Sequence, residues 1–295
     1  MSAPEQVGKD LMKEREELLR NSIPVYRFQP DECIRLSELE QGRLWLSDPA
    51  RFNDLWDLNL PIENRTERGP YGDAGPDRLK SVFYALWDGN PSFSKSDRTH
   101  AGRFYSDELL DVLQNWIAPE FVELKPDAEE EQLIKAFKDR MKQFGVACFT
   151  SDWRNRLMWA HYASSHQGFC IEYSVIKNKV AADDNSPFQP YQVQYLSEVP
   201  ELCLSELLFS PHQAVGRYLA TKHVDWAYEK EWRLVSFEHQ GECAQMPDGM
   251  QISALIAGRK MPVALQAHLQ QTASRLGVPA LKTVNEHGEE TLTPF

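Results

Sequence analysis

Between Gly145 and Tyr195 strand-length apolar runs follow one another so closely that the chain has room for little except a sheet. Gly145 to Thr150 and Gly168 to Ser174 read as strands, with Asn155 to Ser164 as a short helix between them and Tyr191 to Tyr195 as a further strand. The same texture flanks this block. Val25 to Phe28 reads as an opening strand, Asp31 to Glu40 as a short helical passage, and Arg43 to Ser47, after Gly42, as a second strand. Downstream, a helix is expected at about 201–221, strands over Tyr228 to Phe237 and Ile252 to Ala257, and a helix at about 262–275. The fold class that follows is α+β, a mixed or antiparallel sheet core with helices packed on it.

Two regions lie outside that pattern. Residues 5–21 place Val7, Leu11 and Leu18 at helical spacing among many charges, and Pro24 stops the run, so residues 1–23 are expected to form a leading amphipathic helix. Gly69, Pro70, Gly72, Gly75 and Pro76, with Pro61 ahead of them, then open a helical insertion over about 61–143. Its helical periodicity appears in 77–88, 106–123 and 127–143, where Asp127 is the expected N-cap and Leu133, Phe137 and Met141 share a face. Residues 24–295 are thus expected to form a single α+β domain carrying an inserted helical subdomain.

Composition narrows the class of function. Hydrophobic residues make up 42% and charged residues 26%, the balance of an ordinary globular chain. A net charge of −12 repels polyanions at long range and so disfavours non-specific nucleic-acid binding, although it leaves a local basic groove open. No window is apolar enough to span a membrane, and residues 1–20 lack a signal-peptide core, so a cytoplasmic location without membrane contact is expected. Cys33, Cys148, Cys170, Cys203 and Cys243 have neither disulfide-framework nor zinc-site spacing, and no metal is expected.

Four constellations carry polar chemistry, and each also has a plain structural explanation. In Tyr26-Arg27-Phe28, period-2 alternation puts Arg27 on the opposite face from both aromatics, while Ser47 closes the second strand ahead of Asp48 and Pro49. Arg51-Phe52-Asn53-Asp54, followed by Trp56 and Asp57, is a capped loop whose aspartates, three apart, are a weak metal signal. Met158-Trp159-Ala160-His161-Tyr162 is an aromatic helix face, with His166 too far along for a helical metal pair. In Trp226-Ala227-Tyr228-Glu229-Lys230-Glu231-Trp232-Arg233, read as a strand, Glu229, Glu231 and Arg233 point to one face about 7 Å apart. A salt-bridged ladder explains that trio as readily as a site does. Trp159, Tyr162, Ile171 and Trp226 are expected in or beside the core.

Taken together, these segments resemble the family of domain of unknown function 2971. The likeness rests on Tyr26-Arg27-Phe28, the Ser47-Asp48-Pro49 turn, Phe52-Asn53-Asp54, Met158-Trp159-Ala160-His161-Tyr162-Ala163, Gly168-Phe169-Cys170-Ile171-Glu172, Lys222, the Trp226 to Arg233 segment and Gly258. The layout is also similar to the arginine-serine-glutamate branch of the ADP-ribosyltransferase superfamily, in which a first strand carries Arg, a second Ser, and a later one Glu-x-Glu. Arg27, Ser47 and Glu229-x-Glu231 follow that order.

The second resemblance implies an NAD-cleaving enzyme that transfers ADP-ribose to a protein or nucleic-acid acceptor, or an NAD glycohydrolase, in the setting of stress or phage defence. It assigns Glu231 to the ribose 2′-hydroxyl, where a carboxylate stabilises an oxocarbenium-like transition state. It places Glu229 towards the acceptor, Ser47 as orienting hydroxyl, Arg27 on the pyrophosphate, and Tyr26 or Trp159 against the nicotinamide. Asn53, His161, Tyr162 and Arg233 complete the implied NAD site. Two other readings remain open: a metal-dependent nuclease or phosphodiesterase using Asp54, Asp57, Glu229 and Glu231, and a non-catalytic binding or regulatory module whose Glu/Arg ladder is structural.

Overall fold

The computed structural model describes residues 3–54, 56–63, 134–135, 138–139, 142–176, 179, 188–198, 200–203, 211–286 and 289–295. The expected helical insertion falls outside the described residues apart from a few positions, of which 134–135 and 138–139 are helical. The chain divides into two compact units, one comprising Met1–Asp48, Gly145–Val193 and Asp225–Phe295, the other Pro49–Phe144 and Gln194–Val224.

The first unit opens with helix α1 (Ala3–Arg20), strand β1 (Ile23–Gln29), helix α2 (Cys33–Glu40) and strand β2 (Arg43–Leu46). The chain returns to it at β4 (Gly145–Thr150), followed by helix α3 (Arg156–Tyr162), β5 (Phe169–Val175) and β6 (Phe188–Gln192). After a further excursion come β10 (Glu231–Ser236), β11 (Glu242–Gln245), β12 (Met250–Ala257), helix α5 (Val263–Leu276), β13 (Ala280–Glu286) and β14 (Glu289–Pro294). Eight of these strands form one mixed sheet in the order β14-β13-β12-β5-β1-β4-β10-β6. Its pairs are antiparallel except β12 with β13, which α5 connects as a crossover. The C-terminal strands β13 and β14 and the short β11 were not expected from the sequence, whose alternation there is broken by charged and polar residues.

Period-2 alternation gives the sheet two buried faces. On one, Tyr26, Phe28, Cys170, Ala254, Ile256 and Leu281 pack with Trp153, Met158, Trp159 and Ala163 from α3 and its flanks, and Met12 of α1 leans on the cluster. On the other, Val25, Phe149, Ile171, Tyr173 and Leu255 pack with α2, β2 and α5. The chain passes α3 and turns back through Gly168, where an added Cβ would collide with the Gln29 carbonyl oxygen, so β1 and the start of β5 require glycine there. Gly277, at φ 68°, ends α5 in the left-handed conformation.

The second unit contains the short parallel pairs β3 (Ile62–Glu63) with β8 (Leu202–Cys203) and β7 (Gln194–Leu196) with β9 (Thr221–His223), together with helix α4 (Pro211–Ala220). The helix expected across about 201–221 is therefore shorter, beginning only at Pro211. The Tyr218 hydroxyl donates to the Leu58 carbonyl at 2.5 Å, and Lys222 pairs with buried Asp57 at 3.4 Å.

One expected strand starts late. Val224–Glu229 form a 3₁₀ turn, Lys230 sits at φ 46°, and the strand begins only at Glu231. The Asn155 amide donates to the Tyr228 carbonyl at 2.5 Å, and Tyr162 donates to Glu229, so the turn is held by side chains that alternation within 228–237 does not reveal.

Candidate functional site

Strand register assembles the site. Glu172 on β5 pairs with Tyr26 on β1, Tyr26 with Thr150 on β4, and Thr150 with Glu231 on β10. Directly paired residues share a face, so carboxylate, phenol, hydroxyl and carboxylate form one polar row across four adjacent strands, about 14 Å from end to end. All four are buried. Arginines hold both ends. Arg15 of α1 donates through Nε and an Nη to the two oxygens of Glu172, each at 2.6 Å, and the Ser253 hydroxyl adds a bond of 2.8 Å. The Tyr26 hydroxyl also hydrogen-bonds Glu172; burial, and then that carboxylate, push the Tyr26 phenol well above its ordinary value.

At the other end, Arg233 donates to Glu231 at 2.8 and 3.1 Å, a fork made between i and i+2 of a single strand. Glu231 is 4% exposed and Arg233 1%, so the pair is withdrawn from solvent. Arg27 lies elsewhere. Its neighbours in β1 put it on the opposite face of the sheet, where it donates to the Trp45 carbonyl at 2.7 Å and lies 5.9 Å from the Phe149 ring. Burial lowers its pKa from the ordinary arginine value. Tyr26 and Glu231 are thus brought to one face, and Arg27 is not.

A second cluster lies along α3. Asn155 caps that helix by accepting from the Leu157 and Met158 amides at 2.9 and 3.3 Å, which fixes its orientation against the 3₁₀ turn. The Tyr162 hydroxyl then donates to Glu229 at 2.6 Å. Around that bond stand His161, 6.3 Å from the Tyr162 ring and 6.4 Å from Tyr228, and Trp226, 6.0 Å from Tyr228. Glu229 is buried, whereas Tyr162, Trp226 and Tyr228 are half-buried and His161 is exposed. The wall therefore has an aromatic outer side and a carboxylate behind it.

Trp159 faces inward. It is 1% exposed, donates its indole N–H to the Trp153 carbonyl at 2.7 Å and meets Phe28 edge to face at 4.9 Å. Ile171 is buried as expected, and Trp226 lies outside the two core clusters of the first unit. The two glutamates of Glu-x-Glu do not share a strand face, because the left-handed turn at Lys230 separates them: one meets Tyr162, the other Arg233.

The remaining candidates have mainly backbone roles. Ser47 exchanges backbone hydrogen bonds with Val146 at 2.8 and 2.9 Å. In the second unit Asn53 is exposed, Asp54 accepts from the Trp56 amide at 3.0 Å, and Asp57 is paired with Lys222. Among the described residues no three His, Cys, Asp or Glu side chains group as a metal site.

The sequence reading named Glu172 only as part of the Gly168–Glu172 motif, without a site role, and passed over Thr150, Ser253 and Arg15. A glutamate inside the apolar run Phe169–Tyr173 was a usable signal for the first, because an acidic residue in a buried strand demands a partner. Nothing local marks Arg15.

Residues 158–234 match the model of a family described as Protein of unknown function (DUF2971). That stretch runs from α3 to β10 and contains Tyr162, Glu172, Glu229, Glu231 and Arg233. No curated protein and no solved structure matches the chain.

Proposed function

We propose that this chain is a binding or regulatory module that recognises a planar organic cation at the wall formed by His161, Tyr162, Trp226 and Tyr228, and that the polar row is structural. The observation that carries the non-catalytic part is the closed Glu231–Arg233 fork, at 2.8 and 3.1 Å with both residues buried. A carboxylate neutralised on both oxygens and shielded from water is poorly placed to stabilise a charge that develops on a ligand. The wall suggests the ligand class. Ring faces attract cations through their quadrupole, and the buried Glu229 carboxyl group, held by Tyr162, lies behind them.

An NAD-cleaving reading draws support from the same wall, since a nicotinamide ring in NAD is itself a planar cation. On that reading the working carboxylate is Glu229, the one hydrogen-bonded to Tyr162 beside exposed rings, in place of Glu231.

The test uses N-methylnicotinamide cation and NAD as ligands. Titration of wild type should quench tryptophan fluorescence with either, Tyr228→Ala and Glu229→Gln should each weaken binding about tenfold or more, and no nicotinamide should be released from NAD. Failure of both ligands to bind sinks the wall. Nicotinamide release that Glu229→Gln or Glu231→Gln abolishes would replace the module with the transferase.

A further inference from the structure

Just past α3 in the chain, one turn of the first unit is pressed against another. The Gly258 amide donates to the Gly168 carbonyl at 3.0 Å and the Lys260 amide to the His166 carbonyl at 2.9 Å. Gly258 has no room for a Cβ, which would strike the His166 carbonyl oxygen. Ser164, Ser165 and His166 take φ values of 45°, 54° and 71°, three left-handed residues in succession without a glycine. Such a run persists only where its surroundings hold it, and held backbone of this kind concentrates at functional sites.

Cations gather around this junction. Arg156, 69% exposed, reaches Glu290 at 3.4 Å, and Arg154 donates to the Glu290 carbonyl at 3.4 Å. Arg259 and Lys260 are exposed at the tip of the facing turn, and among the described residues neither side chain has an ion-pair or hydrogen-bond partner. His166, stacked on Trp159 at 6.1 Å, is the common neighbour. Its imidazole pKa is lowered by burial, opposed by Glu290, and lowered further by the charges of Lys260, Arg259 and Arg156, which act on it together. Acidic groups near the junction include Glu290, Asp31, which accepts from the Ser164 hydroxyl at 2.8 Å, and Asp152, which accepts from the Arg154 amide at 3.0 Å and is itself paired with Lys230. Cations remain in excess, the reverse of the molecule's net charge of −12.

We propose that Arg154, Arg156, Arg259 and Lys260, set around the clasped 164–168 and 258–261 turns, form a binding site for a compact, multiply charged phosphate-bearing anion. Arg259 and Lys260 on the 258–261 turn, with Arg154 and Arg156 on either side of the Asn155 cap of α3, can meet several phosphate oxygens at once, and guanidiniums bind such oxygens bidentately. Compactness follows from the overall charge, because a long polyanion reaching beyond the patch meets a repelling surface. The site uses none of the four residues of the aromatic wall and does not depend on that reading.

The experiment is thermal unfolding of the full chain with inorganic pyrophosphate at low salt. Wild type should melt progressively higher with pyrophosphate concentration, as expected for a ligand of the native state. Sodium chloride at matched ionic strength should not reproduce the shift. Arg259→Ala/Lys260→Ala removes two exposed side chains without folded partners, so it should melt like wild type without ligand while weakening pyrophosphate binding about tenfold or more. Arg275→Ala, a distant arginine paired with Glu40, should keep the full shift. The site is refuted by any of three results: no pyrophosphate shift in wild type, an equal shift with sodium chloride, or an undiminished shift in the double variant. A response to single-stranded DNA but not to pyrophosphate overturns the compact-anion assignment.

Discussion

Glu231 and Arg233 show how one pair of side chains discriminates between functions. Removing one partner of a buried ion pair strands the other charge, at a cost of about 3–5 kcal/mol, whereas replacing both with apolar residues of similar volume is often neutral. Glu231→Gln is therefore expected to lower stability by about that amount, and Glu231→Leu/Arg233→Met to recover most of it, both read from denaturant midpoints. A Glu231→Gln protein as stable as wild type would show that the fork does not hold the strand, and would return Glu231 to the list of reactive groups.

Tyrosines carry a second residue-scale consequence. Burial and the Glu172 carboxylate raise the Tyr26 phenol well above the ordinary value, burial does the same for Tyr173, and burial pushes Tyr191 up to about 12. Below about pH 10 these phenols are neutral in folded and unfolded chains alike and contribute no pH dependence. Above it the unfolded chain loses protons that the folded chain retains, so stability falls as pH rises towards the folded values. Melting temperature should thus drop steeply between about pH 10 and 11, and Tyr26→Phe should flatten part of that drop. An identical alkaline profile in Tyr26→Phe would contradict the burial of its hydroxyl.

At the scale of elements, α1 is attached in an unusual way. None of its residues from Gln6 to Arg20 is fully buried, yet its Arg15 supplies the cation for Glu172, which is 0% exposed in its side chain. The helix is docked by charge and by the partial packing of Met12 more than by an apolar face. Arg15→Met should destabilise by about 3–5 kcal/mol, and Arg15→Met/Glu172→Met should restore much of the loss. Arg15→Lys should not rescue fully, since an ammonium cannot reproduce a two-point fork. Limited proteolysis gives an independent reading, with cleavage near Arg20 accelerated in Arg15→Met. Unchanged melting and unchanged cleavage would mean that α1 is not held through Arg15. The contrast with α3 is one of mechanism: Trp159 and Met158 fix that helix by burial, and Asn155 by capping.

For the molecule as a whole, the centre of the sheet and its covering helices were legible in the sequence, though not the C-terminal β13 and β14, because hydrophobic periodicity is a local property. Gly145–Thr150 has the expected bounds, β1, β5 and α5 lie within about two residues of their expected limits, and alternation correctly set Tyr26 and Arg27 on opposite faces. The carboxylates and aromatics of the candidate site were visible as residue types. Their partners were not. Alternation tells which residues of one strand share a face, but it is silent about which strands lie side by side. Only the pairing of β5, β1, β4 and β10 aligned Glu172, Tyr26, Thr150 and Glu231, residues drawn from segments far apart in the chain. Likewise, the separation of Glu229 from Glu231 came from long-range hydrogen bonds by Asn155 and Tyr162 that hold a turn where local propensity favours continued strand. The sequence by itself determined most of the central elements and their apolar faces, since those follow from neighbours a few residues apart. Tertiary structure alone decided which charge meets which, because compensating a buried charge depends on the groups that folding brings to it.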